Sequence, residues 1–332
     1  MESAARGFAY AGRFIVARTS LQTPLQEHFV SKIAFLFPGQ GAQKVGMAKE
    51  ICQELPAAKA LFDRAADILG YDLADICFNG PADKLNSTVV GQPALYVSSM
   101  AAVEKIKAER PDLIDACQAT AGLSLGEYTA MAFAGACDFE EGLRLVQRRG
   151  EAMQEAADAT PSGMVSVLGL DAEKITQVCD EARIDGEVLQ LANFLCPGNI
   201  VVSGNQASCD RVDAIAMAAG AMRAVPLSVA GAFHTPLMES AVSKLETALA
   251  GIDFQTTKIP VYSNVDAKPH QSPEDFKELL PRQVCQPVQW NATMDLMLEE
   301  GFDQFYEIGV GRVLTSLLKR IKRKIPCEPV LG

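Results

Sequence analysis

Residues 121–130, AGLSLGEYTA, place a serine between two glycines in the order Gly-x-Ser-x-Gly. Where a strand turns sharply into a helix, this spacing exposes the serine hydroxyl, and the glycines permit backbone approaches that a Cβ would block. Taken alone, the pattern fits an ordinary serine near a helix start as well as a nucleophile. A serine that attacks a carbonyl at neutral pH needs a base within hydrogen-bond reach. The chain has three histidines. His28 falls in an N-terminal stretch of distinct composition, and His270 sits in the proline-flanked KPHQSP. His234, in SVAGAFHTPLM, is the remaining partner for Ser124, although by itself it reads equally well as a structural histidine. An oxyanion also needs donors. The Leu125 amide, just after the serine, is the geometric default. The turn FPGQGAQ around Gln40 offers either a second donor or a simple chain reversal, and it lacks the spacing of a nucleotide-phosphate loop.

The elements predicted around these residues suit that chemistry. Residues 118–122 read as a short strand and 126–134 as a helix, whose start brings partial positive charge beside the hydroxyl. The run KIAFLF at 32–37 reads as a buried strand entering the glycine turn at 38–41. Helical spacing covers 48–55, 57–69 and 92–107, the last with Pro93 near its start. Residues 162–227 follow a different order, with strands at 164–168, 187–192, 200–203 and 221–227 and helices at 171–183 and 206–219. That β-α-β-β-α-β order is the split, ferredoxin-like arrangement. Beyond it, helices are expected at 236–249, 287–300 and 313–323, and strands at 259–263 and 304–308. The expected fold class is α/β. A large α/β-hydrolase-like subdomain with a mostly parallel sheet spans 31–161 and 228–326, and a small ferredoxin-like (βαββαβ) subdomain is inserted at 162–227.

The 332 residues, 48% hydrophobic and 21% charged, suffice for a large buried core. No apolar run reaches the ~18 residues of a membrane span, so no membrane partner is expected. A formal charge of -11 argues against nucleic acid. Nine cysteines without a Cys-x-x-Cys pair suggest reduced thiols in an intracellular, cytoplasmic protein, with no disulfide framework and no metal site. Residues 1–30 carry Arg6, Arg13 and Arg18 with few acids. They read as a disordered tail or a mis-assigned start, with a plastid or mitochondrial targeting segment as the alternative.

The motifs FLFPGQGAQKVGM, GLSLGEY, RRGEAMQEA, NFLCPGNIVVSG, AFHTPLM, YSNVDAK, RQVCQPVQW and YEIGVGRVL occur in that order. Through them the chain, from residue 32 to 324, resembles the malonyl-CoA:acyl carrier protein transacylase family. The resemblance implies Ser124 as nucleophile, His234 as base, and the backbone amides of Gln40 and Leu125 as the oxyanion hole. It implies that Arg149 grips the malonyl carboxylate, a role suited to the two-toothed guanidinium. The Gln283 backbone carbonyl would orient the histidine, and Gln92 and Asn193 match pocket positions. Phe233, before the histidine, goes in the family with unbranched malonyl, since a ring there crowds an α-methyl. One departure is Leu123, where the family usually carries histidine; it should make the pocket wall more apolar and tune the rate without abolishing it.

The implied activity moves malonyl from malonyl-CoA to the phosphopantetheine thiol of holo acyl carrier protein through a malonyl-serine, supplying fatty-acid synthesis. The enzyme would be a monomer with no cofactor of its own. The alternatives are a discrete acyltransferase for polyketide synthesis and a serine esterase or thioesterase. The esterase predicts an acid between the serine and a histidine near the C-terminus, and no such acid stands out. The cationic stretch LLKRIKRKIP at 317–326 reads as a solvated helix face or as a docking surface for an acidic carrier protein.

Overall fold

The run KIAFLF forms strand β1 (Lys32–Phe37). Apolar on both sides, such a strand must lie between two layers. Phe35 and Phe37 enter one core cluster while Ala34 and Leu36 enter another. The computed structural model describes residues 31–331, so the expectations placed on 1–30 lie outside the described residues. In chain order the strands are β1, β2 (Cys117–Gly122), β3 (Ser162–Leu168), β4 (Leu189–Cys196), β5 (Asn199–Asn205), β6 (Arg223–Pro226), β7 (Val261–Tyr262), β8 (Pro269–His270), β9 (Phe302–Val310) and β10 (Cys327–Leu331).

The chain is a mixed α/β protein with one mostly parallel and one antiparallel sheet. The larger sheet has six strands in the order β10-β9-β1-β2-β7-β8. Every pair is parallel except β7–β8. Its first face is covered by helices Pro56–Leu69, Thr88–Glu109, Leu125–Ala134 and Phe139–Ala159, through Phe62, Leu95, Tyr128 and Leu143. Trp290 and Met294 of helix Trp290–Glu299, with Leu314 and Leu318 of helix Val313–Ile321, cover the second. The register pairs Phe37 with Gly122 and Ala121 with Tyr262. Strands β1, β2 and β7 therefore end side by side, and the chain leaving them emerges along one edge. At that carboxyl edge a parallel sheet characteristically places its site.

The smaller sheet runs β4-β5-β3-β6 with all pairs antiparallel. Helices Ala172–Ala182 and Gln206–Ala218 pack on one face, Ile175, Val178 and Val212 meeting Val165, Val167 and Val202. Strand β4 is tied to the segment leading into helix Trp290–Glu299. Val288 N–H donates to Ala192 O at 2.8 Å, and Phe194 N–H to Val288 O at 2.9 Å.

Several boundaries differ from the sequence reading. The helix expected from 92 begins at Thr88, capped by Ser87, which puts Pro93 inside it. An interior proline removes a ladder bond, but burial of nearly every residue from Thr88 to Val103 outweighs that loss. Pro236–Met238 forms a separate 3₁₀ turn ahead of helix Glu239–Ala250. The strand expected at 187–192 lies at Leu189–Cys196, and the helix expected from 287 starts at Trp290. Helix Pro273–Gln283 and edge strand β10 were not anticipated. Pro281 masks the helical pattern of the first, and the second is short and follows a basic stretch.

Candidate active site

Strand β2 passes into helix Leu125–Ala134 through only two residues, Leu123 and Ser124. A Cβ at Gly122 would fall 1.9 Å from the Gly126 carbonyl carbon, and one at Gly126 would fall 2.0 Å from Phe37 O. Both glycines of the motif are thus required by backbone packing. Ser124 itself has φ 50° and ψ −103°, a strained conformation worth about 1–3 kcal/mol. Asn264, just past β7 and fully buried, holds it. Its Oδ1 accepts Ser124 N–H at 2.6 Å, and its Nδ2 donates to Gly122 O at 2.7 Å. A serine at a helix start ordinarily caps a backbone N–H. Ser124 makes no such bond; its Oγ lies 2.9 Å from His234 Nε2 and accepts from Arg149 Nη2 at 3.0 Å.

His234 is 3% exposed and has φ 63°. Its N–H donates to Val284 O at 3.0 Å, and its Nδ1 lies 2.7 Å from Gln283 O. A carbonyl oxygen can only accept, so Nδ1 carries the proton and Nε2 presents its lone pair to Ser124. Burial, helped by the charge of Arg149, holds the imidazole down at about 4, against the opposing pull of the Gln283 carbonyl. It is neutral at pH 7.

Helix Phe139–Ala159 opens with a reciprocal box between Asp138 and Glu141 and carries Arg149 inward at 1% exposure. Nη1 donates to Gln92 Oε1 at 2.8 Å, and Nη2 to Gln283 Oε1 at 2.8 Å as well as to Ser124. The guanidinium also lies 4.9 Å from the centre of the Tyr128 ring, and burial lowers its proton affinity from the usual range. It stays charged, since arginine does not lose its proton in proteins.

The remaining residues from the sequence reading divide between the site and the core. Gln92 Nε2 donates to Gln40 Oε1 at 3.3 Å, and Leu123 N–H to Phe37 O at 3.0 Å, which sets the Gln40 turn beside the serine. The Leu125 N–H is the first of its helix, a position with no carbonyl partner inside the helix. Asn193 is buried on β4, bridged to Val288. Phe233 packs in the first core cluster. Leu123, expected on a pocket wall, joins the apolar cluster of Ala121, Cys196 and Trp290. Three neighbours escaped the sequence reading as individual residues, Glu127, Tyr128 and Asn264, although they stand in the motifs GLSLGEY and YSNVDAK. Burial pushes the Glu127 carboxyl up to about 7, against hydrogen bonds from Gln283 and Asn264.

A groove of about 780 Å³ on the outer side of helix Phe139–Ala159, lined by Arg144, Arg148, Lys244 and Ile252, contains none of these residues. Among the described residues no three His, Cys, Asp or Glu side chains are placed to hold a metal ion. The nine cysteines are free thiols, seven of them buried. Lys319 and Arg320 of the basic stretch are exposed on helix Val313–Ile321.

Residues 34–330 match the family described as acyl transferase domain. The malonyl CoA-acyl carrier protein transacylase of Bacillus subtilis (strain 168) is 43% identical over 298 residues, covering 89% of this chain and 92% of that protein. The mitochondrial malonyl-CoA-acyl carrier protein transacylase of Homo sapiens is 42% identical, covering 86% and 75%. A solved complex of a type II PKS acyl-carrier protein with its malonyl-transacylase superimposes with a TM-score of 0.85 at 39% identity, covering 91% of this chain and 96% of the other. With a serine, a neutral imidazole and a buried guanidinium gathered at the carboxyl edge of its parallel sheet, the chain belongs to the malonyl-CoA:acyl carrier protein transacylase family of acyltransferases.

Proposed function

We propose that this enzyme carries malonyl from malonyl-CoA to the phosphopantetheine thiol of holo acyl carrier protein, with Ser124 as the transient acyl holder. The observation that carries the reading is the Arg149 guanidinium, buried at 3.0 Å from the Ser124 hydroxyl. A cation at that distance selects an acyl group that ends in a carboxylate. The main rival, a hydrolase with a serine–histidine–acid triad, needs a carboxylate on His234 Nδ1, where a backbone carbonyl stands instead.

In the first half-reaction His234 Nε2 takes the Ser124 proton as Oγ attacks the thioester carbon. The developing oxyanion meets the backbone N–H groups of Leu125 and Gln40. The imidazolium then protonates the departing CoA sulfur, leaving a malonyl ester on Ser124. In the second half the carrier's thiol gives its proton to His234 and attacks the ester, and Ser124 recovers its proton. Burial first, and then the charge of Arg149, depress His234 in the free enzyme. Docking the malonyl carboxylate offsets that charge, so the substrate itself makes the base stronger. Two fixed bonds from Arg149 also order the acyl group, which favours the arriving thiol over water. Every group in this scheme comes from one chain, so a monomer suffices.

The fold supports a finer description. The order β4-β5-β3-β6 with its two crossing helices is read as the ferredoxin-like subdomain, and the β2–Ser124–helix turn as a hydrolase-like nucleophile elbow. Phe233 beside the base is read as favouring unbranched malonyl, and fatty-acid synthesis as the destination. The test is intact mass after incubation with malonyl-CoA. A malonyl adduct is expected on the wild type, discharged by holo carrier protein and absent from Ser124→Ala. An adduct that persists in Ser124→Ala would overturn the reading.

A further inference from the structure

Arg149 is a buried cation whose hydrogen bonds all go to neutral groups: Gln92, Gln283 and Ser124. Its Nε has no partner among the described residues. An unpaired buried charge is costly, so a compensating anion should be close. The carboxyl whose charge reaches it is Glu127, in the first turn of helix Leu125–Ala134 and 3% exposed. The two are joined through a single amide. Gln283 turns its Oε1 to Arg149 Nη2 at 2.8 Å, and its Nε2 donates to Glu127 Oε2 at 2.6 Å and to Ser124 O at 3.0 Å. Arginine offers only donors, so Gln283 must present its oxygen to Arg149, and its amino group then needs acceptors on the far side. Of the two acceptors Glu127 is the ionisable one, held in place by Asn264 N–H at 3.1 Å. The backbone carbonyl of the same Gln283 accepts from His234 Nδ1. One residue thus links the carboxyl to both the cation and the base.

We propose that Glu127 is a positioning residue for the malonyl clamp: through the Gln283 amide it orients and counterbalances Arg149 until the substrate carboxylate arrives, and then takes up a proton from solvent. This rests on the malonyl-transfer reading above. Once malonyl docks, two carboxylates share one buried cation, and like charges at a shared site force one of them toward its neutral form. The substrate carboxylate, held directly by the guanidinium, keeps its charge; Glu127 gives way. Its burial already places it at about 7, opposed by Gln283, Asn264, Ser263 and Arg149. A protonated Glu127 still accepts from Gln283 through its carbonyl oxygen, so the bridge survives the change. The titratable groups around Glu127 are Arg149 from helix Phe139–Ala159, Tyr128 on its own helix and, across Gln283, His234. The loop after β7 and helix Pro273–Gln283 present the neutral Ser263, Asn264 and Gln283.

The test compares kcat/KM for malonyl-CoA and acetyl-CoA acylation of the full-length enzyme from about pH 6 to 8.5. Acetyl uses the same serine and histidine but brings no carboxylate, so the malonyl-to-acetyl ratio isolates the clamp. In the wild type the ratio should fall about tenfold across this range, as ionised Glu127 comes to oppose the incoming carboxylate. In Glu127→Gln, which keeps the bridge and removes the charge, the ratio should be flat. Glu127→Ala should lower the ratio about tenfold at pH 7, malonyl turnover falling well beyond any loss in acetyl turnover. A Glu127→Gln profile with the wild-type slope, or a Glu127→Ala ratio equal to wild type, overturns the proposal. Should Glu127→Ala fail to fold, the Glu127→Gln profile decides alone. A wild type that forms no malonyl ester on Ser124 overturns the function itself; one that forms the ester with a pH-independent ratio overturns this inference only.

Discussion

Arg149→Met is the perturbation that separates a substrate clamp from a structural arginine. Methionine keeps much of the volume while removing the charge and all donors. Two effects then compete in stability. The Oε1 atoms of Gln92 and Gln283, on residues 0% and 1% exposed, lose their 2.8 Å donors, at about 1–3 kcal/mol each. Against this, the cost of burying a cation with no directly bonded carboxylate disappears. A modest net loss of stability follows. Activity behaves differently. Removing one partner of a desolvated, hydrogen-bonded charge pair costs about 2–5 kcal/mol, and about 1.4 kcal/mol is a tenfold rate change. Malonyl kcat/KM should therefore fall roughly 30- to 4,000-fold. Acetyl-CoA brings no carboxylate, and its kcat/KM should fall less than about tenfold, from the lost contact to Ser124 Oγ. The assay is acylation of the enzyme under single-turnover conditions with each thioester, alongside a urea unfolding curve. Equal losses for the two substrates would refute the clamp, since a merely structural arginine would damage both alike.

Two further outcomes follow from the same geometry. His234 is held at about 4 when folded, against 6.5 when free, so between those values the unfolded chain binds the extra proton. The His234 contribution should then decline by about 3 kcal/mol as pH falls from 6.5 to 4, while Glu127, raised to about 7, contributes with the opposite sign over nearly the same window. Urea unfolding at both ends of that window should show His234→Gln gaining about 3 kcal/mol relative to wild type as pH falls, and parallel curves would contradict the assignment. Gly126→Ala forces a Cβ to 2.0 Å from Phe37 O, a clash between two backbone segments. It should cost about 3 kcal/mol or more, or prevent folding; an unchanged urea midpoint would show that the close approach is not needed.

Much of the site is local in sequence. The nucleophile turn could be read because Gly122, Ser124 and Gly126 lie within five residues, and the forces that shape such a turn act over that distance. The apolar run of β1 announced a buried strand, and the alternating elements of residues 162–227 announced a small unit of four strands and two helices. His234 emerged by elimination, and Arg149 through a resemblance of motifs. No spacing rule connects residue 124 to residues 149 or 234.

The order β10-β9-β1-β2-β7-β8 was not legible, because β10 and β7 are short and pairing partners far apart in the chain leave no local signature. The group behind the histidine, the Gln283 carbonyl, was reached only through the resemblance of motifs. A backbone carbonyl serves there, and every residue has one, so no residue type marks it. Glu127 and Asn264 stood in recognisable motifs, yet their roles depend on the register that sets β7 beside β2. The chain's own pattern specified a strained serine turn and its secondary-structure setting. Only tertiary packing decided that a cation, an imidazole and a buried carboxyl would meet there, because burial and distance, which set their charges, exist only once the strands have paired.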